Sequence, residues 1–153
     1  MKVWVLLFVC AGIRAVHLEL VSTTSTEDFL LAWRRFSARY GMPRIVRPDN
    51  AAGFVAASRQ LPVVWKFNPP AAPRQGGFYE RLVSVVKSPL RCVLGRALLS
   101  HDELVTVLAE IQHVVNDRPL THVADLDDEV PLSPNMLLGE TYDSTDADMR
   151  SQE

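Results

Sequence analysis

No acidic residue precedes Glu19 in this chain, and no aspartate precedes Asp28. Any cluster of carboxylates must therefore draw on later segments. Cysteine is scarce: Cys10 and Cys92 stand far apart, with no CxxC or other metal spacing. That excludes a disulfide framework and leaves two reduced, buried thiols as the expectation. The four histidines, His17, His101, His113 and His122, form no ligand set with them, so a zinc site is excluded as well. No apolar run is long enough for a membrane span, and no internal repeat appears. Seven glycines and ten prolines in 153 residues are too few for a disordered chain.

What is present is a chain of 48% apolar residues, enough for one globular domain with a core. Charge is divided unevenly. Through Arg118 there are 15 Lys/Arg against 9 Asp/Glu, and from Pro119 onward one arginine against nine acids. A basic body suits a polyanionic partner, although a surplus of six is also ordinary surface charge. The boundaries expected are a domain over 1–140 and an acidic, flexible tail over 141–153.

Met1–Ala11 resembles a short signal peptide, with Val9-Cys10-Ala11 as its cleavage site. The run is nevertheless β-branched and aromatic, and it leads through Gly12 into a second strand-like run. Two antiparallel strands, Val3–Cys10 and Ala15–Val21, account for both segments, the first apolar on both faces as in a covered sheet.

Thr24 with Glu27 makes a capping-box pattern, with Ser25 as a second cap. Phe29, Trp33, Phe36 and Tyr40 then recur at helical steps until Gly41 and Pro43 stop the helix. Ile45-Val46 reads as a short buried strand leading to Asp49. A short helix over Ala51–Gln60 and a strand over Val63–Phe67 follow. Asn68–Gly77 reads as a loop. Phe78–Gly95 is helical, with Leu82, Val85, Val86, Leu90, Val93 and Leu94 on its apolar side. Pro89 should kink or interrupt it, at about 3 kcal/mol if the helix were forced straight. Ser100 and Glu103 cap a further helix to about Asn116. Past Leu120 the chain reads as loop, with an apolar patch at Pro134–Leu138. The order β-β-α-β-α-β-α-α belongs to an α/β or α+β domain with a mixed sheet.

A strand-end aspartate, Asp49, and a helix-borne glutamate, Glu80, stand 31 positions apart across a Pro- and Gly-rich connection. Carboxylates on such elements are hard ligands able to hold divalent cations for phosphoryl chemistry. Each also has a plainer reading. Pro48-Asp49-Asn50 is a common turn, and a helical glutamate followed seven residues later by Lys87 is a solvated face. Ser84, Lys87 and Arg91 follow Glu80 at steps of four, three and four, hence on one helix face.

Several ordered blocks point to one family. They are Lys2–Cys10, Arg14–Val21, Phe29–Phe36, Pro48-Asp49-Asn50, Trp65–Pro70, Gly76–Val83, Val93–Gly95, Asn116–Thr121 and Pro131–Pro134. Together they resemble the catalytic core of retroviral-type integrases, most similarly that of Pao/BEL-type LTR retrotransposons, over residues 2 to about 140. The resemblance implies a ribonuclease-H-like fold: a mixed sheet flanked by helices, with an Asp, Asp, Glu triad. In that family the triad binds two Mg²⁺ or Mn²⁺ ions that process DNA ends and join them to target DNA. Asp49 matches the second acid and Glu80 the third. Lys87 matches a lysine that contacts DNA, and Arg74, Arg81 and Arg91 extend the expected nucleic-acid surface. Two cations about 3.5–4 Å apart would activate the nucleophile and stabilise the leaving oxygen.

This chain departs from that pattern in four places. The strand carrying the family's first aspartate lies before Lys2 and is absent, and Glu19, on a later strand, is no substitute. In the implied sheet the missing strand is central, so two ladder edges should stand unpaired, which favours association. The glycine that follows Asp-Asn in the family is Ala51, the interval to Glu80 is short, and Pro89 interrupts the last helix. The expectation is therefore an integrase core-like domain that binds DNA but, alone, does not catalyse strand transfer. An alternative of another class is a non-catalytic interaction module that forms a homo-oligomer. No membrane partner is expected, and the family implies a nuclear or cytoplasmic setting. Cleavage at Met1–Ala11 would instead mean a secreted protein.

Overall fold

A computed structural model of the chain describes residues 2–49, 51–67, 77–95, 99–121 and 131–140. The elements are β1 (Trp4–Val9), β2 (Val16–Val21), α1 (Thr26–Tyr40), β3 (Ile45–Val46), α2 (Ala52–Ser58), β4 (Val64–Trp65), α3 (Gly77–Leu94), α4 (His101–Asn116) and α5 (Pro134–Glu140). This is an α+β chain. The strands form two separate two-stranded sheets, β1 with β2 and β3 with β4. The acidic tail expected over 141–153 lies outside the described residues.

Packing divides the chain into two compact units: Met1–Leu7 with His17–Ser84, and Phe8–Val16 with Val85–Glu153. The first is built on aromatic rings. Phe29 meets Phe54 edge-on at 5.0 Å, and Trp33 stacks on Trp65 at 6.0 Å. Trp65 in turn stacks on Phe67. Trp33 is 2% exposed and Ala32 and Ala57 are fully buried, so the apolar stripe of α1 is the centre of this core. Gly53 lets α2 pass close to the turn before α1, where an added Cβ would stand 3.3 Å from the Thr24 carbonyl oxygen. The cap of α1 is Ser25, whose hydroxyl accepts from the Asp28 N–H, rather than Thr24 with Glu27. Asp28 explains the shift: its carboxylate accepts from both the Thr23 N–H and the Thr23 hydroxyl, at 2.7 Å each. Gly41, at φ 81°, ends the helix with its N–H on the Ser37 carbonyl.

β3 and β4 run parallel, with Ile45 beside Val64 and Val46 beside Trp65, and α2 is the crossover between them. Only one face of this short ladder is covered. Ile45, expected to be buried, is 52% exposed, because Val46 and Trp65 take the inward positions.

The second unit is aliphatic. Val86, Leu90, Leu104, Leu108, Ile111 and Val115 are buried along α3 and α4. Ser100 and Glu103 form the expected reciprocal capping box at the start of α4. The two hydrogen bonds from Ser100 hold the Glu103 carboxyl below its ordinary pKa. Pro134–Glu140, expected as loop, forms helix α5, where Asn135 donates to the His113 carbonyl and the Asp117 carboxylate. The β1–β2 turn closes through Cys10 N–H to Ala15 C=O and Arg14 N–H to Cys10 C=O. Two expectations about burial are overturned here. β1 is half-exposed, with Trp4 at 42% and Val5 at 38%, while β2 is the strand covered on both faces. Both cysteines are exposed: Cys10 opens the tight turn, and Cys92 lies off the buried Leu82–Val86–Leu90 stripe. Among the described residues no helix is long and apolar enough to cross a membrane.

Candidate nucleic-acid interface

Asp49 lies beyond β3, exposed, after buried Pro48. Its Oδ1 accepts the Ala51 N–H at 3.2 Å, an Asx turn that leads into α2. Glu80 is exposed in the first turn of α3, where the positive end of the helix dipole favours a carboxylate. Both acids belong to the first compact unit. Arg74 lies outside the described residues.

Leu82, Val86 and Leu90, four residues apart, are buried at 6%, 4% and 8%. Glu80, Ser84, Lys87 and Arg91 are all exposed, so the polar stripe read from spacing is a solvent face of α3. Arg81 is exposed beside it. Pro89 does not end the helix, which runs on to Leu94. The bond that Pro89 removes belongs to the carbonyl of Val85, a residue 38% exposed, where water can take its place. Arg91 therefore stays on the same helix as Glu80.

A two-cation site needs several carboxylates converging on shared ions. Among the described residues no group of three or more His, Cys, Asp or Glu side chains is placed to hold a metal. One oxygen of Asp49 is already engaged by backbone. The donor set on the described residues thus does not complete a Mg²⁺ or Mn²⁺ site.

Glu19 is occupied elsewhere. Its Oε2 accepts from Arg35 Nε at 2.6 Å, and its Oε1 lies 2.8 Å from His17 Nε2. Tyr40 Oη stands 3.4 Å from the other ring nitrogen. His17 and Glu19 are 3% and 8% exposed, so a buried carboxylate reaches out to a half-exposed Arg35 and ties β2 to α1. The sequence carried one signal of it, a His-x-Glu pair at strand period two inside an apolar run.

A second polar anchor also escaped pattern reading. Asn116, 1% exposed, accepts the Val16 N–H with Oδ1 and donates Nδ2 to the Val16 carbonyl, both at 2.8 Å. The amide acts as a strand neighbour for one residue of β2. Arg118 donates to the carbonyls of Val115 and Arg14 and so fixes Arg14 in the left-handed conformation, φ 58°. Burial, and then the charge of Arg14, lower the pKa of the Arg118 guanidinium. The Asn116–Arg118 block is thus a structural clasp.

Compared as a whole, the chain is similar to one from the cryo-EM structure of the simian T-cell lymphotropic virus intasome in complex with the PP2A regulatory subunit B56 gamma. The TM-score is 0.62 at 18% identity, over 84% of this chain and 51% of that one. The fold resembles that of about half of that chain. At this identity the likeness speaks to fold alone, and this chain spans about half the length of that protein. No family model and no curated protein matches the sequence.

Proposed function

We propose that this chain is an integrase core-like domain, of Pao/BEL-type retrotransposon origin, that binds DNA without catalysing strand transfer by itself. The observation that carries the reading is α3, with Glu80, Ser84, Lys87 and Arg91 in solvent and Leu82, Val86 and Leu90 buried beneath them, on an intasome-like fold. Arg74, Arg81, Lys87 and Arg91 supply phosphate contacts. Asp49 and Glu80 are the two acids of an Asp, Asp, Glu triad, and phosphoryl transfer with Mg²⁺ or Mn²⁺ awaits a third carboxylate.

Binding of a labelled DNA duplex across a salt series tests the proposal. Affinity should fall steeply between about 50 and 200 mM salt, because each phosphate contact releases counterions. Replacing Lys87 and Arg91 together by glutamine should lower the logarithmic salt slope by roughly two. A stable oligomer in light scattering with no salt-sensitive DNA affinity would replace this reading with that of an interaction module.

A further inference from the structure

The outer face of the β3–β4 ladder carries a feature that the α3 stripe does not explain. The two strands are parallel, with Ile45 beside Val64 and Val46 beside Trp65. The Lys66 N–H donates to the Val46 carbonyl at 2.8 Å, the bond that closes the Val46–Trp65 pair, and Arg47 and Lys66 are the next residues along the two neighbouring strands. Side chains alternate along a strand, so Arg47 shares the face of Ile45, and Lys66 that of Val64. Exposure agrees: Ile45 is 52% and Val64 55% exposed, and Arg47 and Lys66 are both in solvent.

Two cations therefore follow the last pair of the ladder on neighbouring strands, beyond two exposed branched apolar residues. Like charges brought close at the end of a ladder repel each other. Among the described residues neither has a carboxylate within ion-pair distance: the acids so paired are Glu19, with His17 and Arg35, and Asp117, with His113. Arg47 also stands two residues before Asp49.

We infer that this rung is a second phosphate-binding surface, on which Arg47 and Lys66 hold the backbone of a DNA strand beside the Asp49 turn. The inference rests on the nucleic-acid reading but uses residues outside α3. The repulsion across the rung is relieved when a phosphate lies between the two cations, and Ile45 and Val64 offer apolar contact to the sugar edge.

The experiment measures binding of a short mixed-sequence DNA duplex by the full chain across a salt series. It compares Arg47→Gln/Lys66→Gln with Lys87→Gln/Arg91→Gln. Loss of roughly two from the salt slope in the first variant supports the rung. An unchanged slope there, with a reduced slope in the α3 variant, overturns the inference and leaves the α3 reading standing. A reduced slope in the first variant alone supports the rung and removes the α3 stripe from the interface. Absence of salt-dependent binding by the unmodified chain overturns both. Arg47→Glu separates binding from folding: an opposite charge facing Lys66 should raise the thermal midpoint while DNA affinity drops. If the two cations serve only to keep the strands from pairing with other chains, neutralising them should increase aggregation and leave DNA affinity unchanged, which also overturns the inference.

Discussion

The two compact units bury polar groups by different means. The first surrounds Trp33 with other rings and buries the His17–Glu19 pair, whose charge is met by a half-exposed Arg35. The second is aliphatic, and its most buried polar side chain is a neutral amide, Asn116, that serves two backbone groups at once. Rings interact through broad faces and tolerate replacement of similar shape. A clasp made of one acceptor and one donor tolerates nothing that lacks either. Contacts in one unit should thus be judged by area, and in the other by hydrogen-bond chemistry.

Substitutions at three positions can break or sharpen that contrast. The largest effect should come from Trp33→Ala, about 3–5 kcal/mol of lost stability by chemical denaturation, with Trp33→Phe retaining much of it. Equal costs for the two replacements would remove the area argument. Asn116→Ala should cost about 2–4 kcal/mol, since the N–H and carbonyl of Val16 lose their partner in a dry site. Asn116→Asp should not rescue it, because a carboxylate accepts the N–H but repels the carbonyl. Full stability in that variant would mean that the donor half of the clasp is idle. The smallest effect belongs to Ser100→Ala, about 1 kcal/mol through loss of the helix cap. It carries a pH signature. The folded-state pKa of Glu103 is depressed, so its contribution is complete above the ordinary carboxylate pKa and is lost as pH falls through the depressed value. Stability measured against pH should show a smaller acid-side component in the variant, since the hydroxyl bond is lost while the backbone N–H of position 100 still donates to Glu103.

Much of this was readable in advance where the determinants are local. The β1–β2 pair, α1, the Ser100–Glu103 box and the polar stripe of α3 all follow from periods and caps a few residues long. The stripe survived Pro89 because a solvated carbonyl absorbs the lost bond. Misreadings arose where distant residues decide. Ile45 and Cys92 look like core residues in a one-dimensional pattern, and the packing of Trp65 and of Leu82–Val86–Leu90 leaves them outward, while Cys10 is exposed because it opens the β1–β2 turn. Ser25 displaced Thr24 as cap because Asp28 reaches back to Thr23. Asp49 and Glu80 were candidates by spacing and resemblance, and both carboxylates stand exposed in the first unit. The occupation of Glu19 by Arg35 was not, since it joins a strand to a helix 16 residues later.

The Asn116 clasp has a consequence for how the protein is made. Val16 is synthesised before its partner, since the side chain that satisfies it is 100 residues further on. The first unit's segments are all present once Ser84 has been added. At roughly 5–20 residues per second, the ribosome needs about another 2–6 s to reach Asn116. During that interval the beginning of β2 stays without its clasp, and the order of assembly is written into the spacing of one amide from its strand.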